Sequence, residues 1–277
     1  MKIKKITSLI LIAAMMCFAF ASCGSGSSSS GGGDLLASVL EKGELQVAVE
    51  AGDEPWAYQP EGESEYTGMA VEIIQGFGEA IGVNVVINPF EFSEQIPAVQ
   101  SGKVDIIACN ISRTQQRSAT VLFTEPVSYN NGVAVVKKES GFKSVTELDS
   151  GDITLTTPAG SIQEELAKEK FPKAKLNALG STSDAMAALK AGRADAYITD
   201  NIQGAKMLES DSSLEMLPEA LNSDTVAFAL ALDTNSYTLR DAFNNYLKVI
   251  KIDGTYNELY KKYFGTDWVP LTIEYGA

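Results

Sequence analysis

The feature that most limits how this chain can fold is an internal repeat at an offset of 90 positions. Residues 98–107 read Ala-Val-Gln-Ser-Gly-Lys-Val-Asp-Ile-Ile, and residues 188–197 read Ala-Leu-Lys-Ala-Gly-Arg-Ala-Asp-Ala-Tyr. In each copy the pattern predicts a helix end closed by a left-handed glycine, Gly102 or Gly192, and then a buried strand. The chain is therefore expected to build two similar α/β lobes.

Polar residues follow each copy of the repeat. Ser112, Thr114 and Arg117 follow the first copy, and Asp200 follows the second. In an open parallel sheet, ligands bind beyond the carboxyl ends of the strands. Arg117 could hold a carboxylate through two parallel N–H donors, with the two hydroxyls nearby; the alternative is a solvated arginine on a helix face. A cation in one lobe and an anion in the other favour a zwitterionic ligand.

A second candidate anion site lies at the start of a predicted helix in the second lobe. A strand over 153–157 leads through Pro158-Ala-Gly160 into a helix opened by Ser161. The free N–H groups and the positive dipole end of a helix N-terminus attract anions. On spacing alone, an ordinary capped helix explains the pattern equally well.

The first 22 residues predict a signal peptide. Three lysines precede an apolar run, and small residues then precede Cys23. Such a stretch is too short for a confident membrane span. The junction Phe20-Ala21-Ser22-Cys23 resembles the lipobox of bacterial lipoproteins and predicts lipidation at Cys23, with a plain secreted protein as the alternative. Residues 23–33 consist of Cys23 and the run of glycines and serines after it, and this composition predicts a flexible tether.

Composition excludes several classes of function. The net charge of −14 leaves no basic footprint for nucleic acid. The absence of histidine excludes serine–histidine triads and histidine zinc sites. Once Cys17 is cleaved and Cys23 lipidated, Cys109 has no partner for an intramolecular disulfide, so we expect a buried thiol. The sequence predicts no metal site and no cofactor.

Hydrophobic periodicity predicts the elements that frame the two lobes. We expect helices over 69–81, 93–101 and 237–251, a strand over 83–87, and two strands that pass between the lobes, over 133–136 and 226–232.

Motifs along the whole mature chain resemble those of the amino-acid-binding proteins of bacterial ABC importers, solute-binding family 3. They are Glu-Pro-Trp-Ala-Tyr at 54–58, Ile96-Pro-Ala-Val-Gln-Ser-Gly-Lys-Val-Asp105, Phe123-Thr-Glu-Pro126, Ala191-Gly-Arg-Ala-Asp195 with Thr199-Asp200, Asp253-Gly-Thr-Tyr256 and Lys262-Tyr-Phe-Gly265. The resemblance implies the periplasmic binding protein type II fold, an α/β fold in which two Rossmann-like lobes are joined by two crossing strands. The first lobe would comprise 34–132 and 227–277, and the second 133–226.

The resemblance also implies a ligand site between the lobes. Arg117 would bind the ligand carboxylate with Ser112 and Thr114, and Asp200 would bind the α-ammonium group. The further positions that correspond to the family's site include Glu50, where the family often has Asp, and Trp56 and Phe92, at or near its aromatic wall. Asn110 stands where a small residue is usual, and Ile162 stands after Ser161 where a hydroxyl is common.

The implied function is delivery of an amino acid to an ABC permease and its ATPase by a lipid-anchored, extracytoplasmic monomer that closes around its ligand. Glu50 and Asp53 favour a polar or cationic amino acid, although both could be solvated loop acids. Two alternatives stay open. One is a dehydratase acting on prephenate or arogenate with Glu50 or Asp53 as general acid; the other is a receptor or channel sensor domain, which would need a later membrane span.

Overall fold

The computed structural model describes residues 33–269. The predicted signal peptide over 1–22, Cys23 and the predicted tether up to residue 32 lie outside this range. Within it, no helix combines the length and the apolar character needed to cross a membrane.

Helices and strands alternate through most of the described residues. The helices are α1 (Leu35–Lys42), α2 (Met69–Ile81), α3 (Gln95–Gln100), α4 (Gln115–Ser118), α5 (Ile162–Lys170), α6 (Thr182–Lys190), α7 (Asn201–Ser210), α8 (Tyr237–Asp253) and α9 (Thr255–Phe264). The strands are β1 (Glu44–Glu50), β2 (Asn84–Phe90), β3 (Ile106–Ile107), β4 (Val121–Lys137), β5 (Thr154–Pro158), β6 (Lys175–Leu179), β7 (Ala196–Asp200), β8 (Leu214–Met216) and β9 (Asn222–Ala231).

The strands form one mixed sheet in the order β2-β1-β3-β9-β4-β7-β5-β6, with β8 paired to β4. Pairing is parallel among β2, β1 and β3 at one end and among β7, β5 and β6 at the other. The central strands β4 and β9 pair antiparallel to each other and to their neighbours. The mixed α/β fold with two parallel units, expected from the repeat, is confirmed.

Buried apolar residues form separate clusters in the two halves of the sheet. Two clusters draw residues from 39–127 and 226–263, and two others from 134–217. We call these halves the first and the second lobe. The strands β4 and β9 contribute buried residues to the first, and β4 continues into the core of the second, so the long central strands connect the lobes.

The repeat has the same local structure in both lobes. Gly102 follows α3 with φ 71° and Gly192 follows α6 with φ 70°, in the left-handed region where a Cβ would be strained. Both helices therefore stop where the sequence predicts.

The aspartate in each copy of the repeat joins its segment to the first strand of the lobe. Asp105 Oδ2 accepts the Gln46 N–H in β1 at 2.8 Å, and Asp195 Oδ2 accepts the N–H of Thr154, the first residue of β5, at 2.7 Å. Each aspartate also donates its own N–H to the carbonyl of the same partner. These paired bonds explain why aspartate precedes both strands.

Some predicted boundaries are corrected by the structure. Helix α2 is confirmed at 69–81, whereas the helix expected over 93–101 begins as a 3₁₀ turn, Phe92–Glu94, before α3. The connecting strands are longer than the predicted 133–136 and 226–232, because β4 and β9 pair along most of their length. The pairing of β4 with β9 shifts register on either side of Pro126, the residue that interrupts the apolar pattern of β4.

Candidate binding site between the lobes

A small cavity lies between the two lobes. Both lobes contribute to its polar lining. The lining residues are Glu50, Asp53, Phe92 and Asn110 from the first lobe, and Pro158, Ser161, Gln163, Thr182, Tyr197, Thr199, Asp200 and Gln203 from the second.

The parallel strands explain why these side chains meet. Glu50, Pro158 and Asp200 are the last residues of β1, β5 and β7, and Ser161 and Thr182 lie at the starts of α5 and α6. In a parallel sheet the strand ends and the following helix starts share one edge. In each lobe this edge faces the other lobe, and polar side chains lie along it, as the sequence predicts.

Asp200 is 2% exposed and accepts hydrogen bonds from both lobes. Its Oδ1 caps α7 by accepting the N–H groups of Ile202 and Gln203 at 2.9 and 3.0 Å. Its Oδ2 accepts Asn110 Nδ2 at 2.7 Å, and Asn130 orients that amide by donating to Asn110 Oδ1. Burial raises the pKa of Asp200, although these hydrogen bonds favour its charged form.

Glu50 is also 2% exposed and reaches the second lobe. Its Oε1 accepts the Thr182 N–H at the start of α6 at 2.9 Å, where the helix dipole favours a negative charge. Burial raises the pKa of Glu50 to about 7, against that hydrogen bond. Glu50 therefore titrates near neutral pH.

Asp53 follows Glu50 on the loop after β1 and is 1% exposed. Its Oδ1 accepts Gln203 Nε2 from the second lobe at 2.7 Å, whereas its Oδ2 has no hydrogen-bond partner among the described residues. Burial, with the charges of Glu50 and Asp200, raises the pKa of Asp53 well above its usual range. Three buried carboxyl groups thus share one cavity.

Arg117 is not one of the lining residues and is 8% exposed. Its Nη1 donates to the Ser112 carbonyl and its Nη2 to the Gly160 carbonyl in the second lobe, both at 2.9 Å. Its guanidinium stacks 5.6 Å from the ring centre of Phe92, which lines the cavity. A guanidinium carries five N–H donors, so Arg117 retains donors beyond these two bonds.

The structure separates the other predicted site residues from the cavity lining. Thr114 caps α4, where its Oγ1 accepts the Arg117 N–H at 3.1 Å. Ile162 is the first residue of α5 and is half-buried outside the lining. Trp56 lies in the core of the first lobe instead of at an aromatic wall, 5.0 Å from the ring of Phe264.

The loop conformation explains the position of Trp56. The N–H groups of Trp56 and Ala57 both donate to the Asp53 carbonyl, at 2.7 and 2.8 Å, which forms a tight turn. Because of this turn the carboxyl group of Asp53 lines the cavity, while the indole of Trp56 is buried in the core. The sequence showed both residues in one loop but could not tell which would face the ligand.

Several lining residues escaped the sequence prediction, and two had a usable signal. Thr182 follows Ser181, the N-cap of a helix that begins after a parallel strand, and Ser161 caps α5 in the same way. Gln203 lies three residues after Asp200 on α7, close enough for its N–H to reach the capping carboxylate. Tyr197 lies within the repeat, but its position in β7 alone did not indicate that its side chain would line the cavity.

Comparisons with known proteins agree with this architecture. The arginine-binding extracellular protein ArtP of Bacillus subtilis is 30% identical over 92% of this chain and 96% of its own. The ABC transporter glutamine-binding protein GlnH of the same organism is 26% identical over 95% and 98%. The crystal structure of an ancestral amino-acid-binding protein, AncCDT-1, a precursor of cyclohexadienyl dehydratase, has a TM-score of 0.77 at 29% identity, covering 83% of this chain and 99% of its own.

The family match extends through nearly all of the described residues. The model of the bacterial extracellular solute-binding proteins, family 3, matches residues 45–266, from β1 to just beyond α9. The relatives above carry names of binding proteins, and this favours a binding protein over the dehydratase alternative. The chain belongs to the bacterial extracellular solute-binding proteins, family 3.

Proposed function

We propose that this protein binds a cationic L-amino acid between its lobes and delivers it to the permease and ATPase of an ABC importer. The observation that carries the proposal is the set of buried charges around one cavity: Glu50, Asp53 and Asp200 line it, and Arg117 lies beside it. Buried charges are costly unless they are paired. An amino acid with a cationic side chain supplies two positive groups and one negative group.

The two ends of the proposed ligand have different partners. Its carboxylate would bind Arg117, which Thr114 holds at the start of α4, with Ser112 and Ser161 supplying further polar groups. Its α-ammonium group would bind Asp200, which Asn110 already orients from the first lobe. These contacts come from both lobes, and this supports binding in the cleft.

The side chain of the ligand would extend toward Glu50 and Asp53, past the ring of Phe92. A neutral side chain would leave both buried acids without a positive partner. The name of the relative ArtP, an arginine-binding protein, supports the same ligand class, whereas that of GlnH includes glutamine and makes it the necessary comparison.

Calorimetric titration with a panel of L-amino acids tests this proposal. We expect L-arginine or L-lysine to bind at least tenfold more tightly than L-glutamine, L-leucine or L-glutamate, a difference of about 1.4 kcal/mol or more. Tightest binding of a neutral or acidic amino acid would overturn the cationic assignment. Failure of every amino acid to bind would overturn the function itself.

We further propose that Cys23 carries a lipid anchor and that residues 24–33 let the binding protein, a monomer, reach its permease. The support is the small-residue junction before Cys23 and the glycine–serine run after it. Mass spectrometry of the mature N-terminus is the test, and we expect a diacylglyceryl-modified Cys23. A free Cys23, or a mature chain that begins elsewhere, would contradict the anchor.

A further inference from the structure

The side chain of Gln203 is held in one orientation by two hydroxyl groups. It is 3% exposed, and its Oε1 accepts hydrogen bonds from Tyr197 Oη and Thr199 Oγ1, both within the second lobe. Because the carbonyl oxygen of the amide takes both donors, the NH₂ group must point the other way. There it donates to Asp53 Oδ1 across the cleft at 2.7 Å.

The bond from Gln203 satisfies only one oxygen of Asp53. The other oxygen, Oδ2, is buried without a partner among the described residues, and Asp53 lines the cavity. A buried carboxylate oxygen that lacks a donor costs substantial free energy. A cationic group in the cavity would supply the missing donor.

Glu50, the neighbouring acid, differs in this respect. Its Oε1 already accepts the Thr182 N–H at the positive end of α6, so the protein itself supports this negative charge. Asp53 receives one neutral amide donor and has the charges of Glu50 and Asp200 nearby. Of the two acids, Asp53 is therefore the one that needs a positive partner from outside the chain.

We infer that Asp53 determines specificity by pairing with the distal cation of the ligand's side chain, and that Gln203 is a positioning residue that holds Asp53 for this contact. The inference rests on the proposed function, because it requires an amino acid in the cleft. Since Asp53 and Gln203 lie on opposite lobes, their bond forms only when the lobes meet. Asp53 is therefore held in place for the side-chain cation of the ligand only when the two lobes are in contact.

Calorimetry with L-arginine and L-citrulline, its neutral analogue of nearly the same shape, tests the inference. We expect the wild-type protein to prefer arginine. Asp53→Asn keeps an oxygen that can accept from Gln203 but removes the charge. This variant should lose about 10-fold to 100-fold in arginine affinity, as expected for one charged hydrogen bond, while citrulline affinity changes by less than about threefold.

Glu54→Gln is the matched control, because Glu54 is the adjacent acid, is 45% exposed and pairs with Lys206 at 3.6 Å. It removes the same charge from the same loop, and the preference for arginine should remain. Gln203→Met removes the donor to Asp53 and should reduce the ratio of arginine to citrulline affinity. A purely structural role for Gln203 would weaken both ligands equally and leave that ratio unchanged.

The outcomes separate this inference from the proposed function. Equal loss of both ligands in Asp53→Asn, or an unchanged arginine preference, would overturn the role of Asp53. A wild-type protein that binds amino acids but does not prefer arginine to citrulline would overturn it too. Circular dichroism checks folding, and if Asp53→Asn does not fold, the ratio in Gln203→Met decides. A wild-type protein that binds no amino acid would overturn the proposed function, and the inference with it.

Discussion

Glu50 is a buried carboxyl group whose pKa lies near neutral pH. Its pKa is raised from 4.5 to about 7, so between these values the folded state binds more protons than the unfolded chain. The free energy of unfolding therefore falls as the pH rises through this window. The protonated Glu50 carboxyl group stabilises the folded state fully below pH 4.5, and this stabilisation is lost as the pH rises through about 7.

Glu50→Gln should make the protein more stable at pH 8 than the wild type, by up to roughly 3 kcal/mol. Glutamine has nearly the same shape and can still accept from the Thr182 N–H. At pH 5 the difference should shrink, because wild-type Glu50 is then largely protonated. Urea unfolding at both pH values measures this, with Glu54→Gln as the exposed control. The same stability difference at both pH values would contradict the buried titration.

At the scale of residues, sequence reasoning was strongest where a side chain lies at the end of a strand. Glu50 and Asp200 were predicted, and both line the cavity. It failed for Trp56, because the turn around Asp53 reverses which side chain faces inward. Trp56 packs against Phe264 of α9, a contact that no local pattern in the loop encodes.

The N-termini of α5 and α6 have the same kind of cap but different positions relative to the cavity. Ser161 Oγ accepts the Glu164 N–H at 3.2 Å, and Ser181 Oγ accepts the Asp184 N–H at 3.1 Å. Of the two serines, only Ser161 lines the cavity. Substitutions at these positions can therefore separate capping from binding.

Ser161→Ala and Ser181→Ala should each lower the free energy of unfolding by about 1 kcal/mol, because each removes an N-cap. Only Ser161→Ala should also weaken ligand binding, since it removes a polar group from the lining. Thermal unfolding and calorimetry on both variants check this. Equal affinities in the two variants would remove Ser161 from the proposed site.

At the scale of elements, the repeat predicted helix ends and strand starts correctly in both lobes. Gly102 and Gly192 adopt the required left-handed conformation. Glycine adopts this conformation much more readily than other residues, so the sequence indicates it directly. The lengths of β4 and β9 were underestimated, because residues around Pro126 and Gly132 interrupt the apolar pattern. Their pairing depends on the partner strand, which lies about 100 positions away in the chain.

The whole molecule is expected to close around its ligand. Several hydrogen bonds already cross the cleft, among them those from Asn110 to Asp200, from Gln203 to Asp53, from Thr182 to Glu50 and from Arg117 to the Gly160 carbonyl. A ligand held by both lobes adds contacts that only the joined arrangement makes, and so it shifts the equilibrium toward that arrangement. Small-angle scattering should therefore show a smaller radius of gyration at saturating L-arginine. An identical profile with and without ligand would contradict closure.

At this scale the fold could be predicted because many weak motifs occurred in the right order, and errors in single elements did not change the topology. The side-chain pocket could not be derived in the same way. It depends on how Asp53 and Gln203 meet across the cleft, a contact between residues 150 positions apart. Such a contact exists only in the assembled molecule.

The central claim is that the cleft holds a zwitterion by its two ends, and Asp200 offers the cleanest test of it. Asp200→Asn removes the negative charge but leaves Oδ1 to accept the N–H groups that begin α7. Its Nδ2 group would face Asn110 Nδ2 instead of accepting from it, a loss that the removal of a buried charge offsets, so the melting temperature should stay close to that of the wild type.

The decisive measurement is a calorimetric titration of L-arginine into Asp200→Asn and wild-type protein, at pH 8. We expect a loss of roughly 2 to 5 kcal/mol of binding free energy, about 30-fold to several-thousand-fold in Kd, because the buried α-ammonium group of the ligand loses its charged partner. An unchanged Kd for arginine, with or without a change in melting temperature, would contradict it.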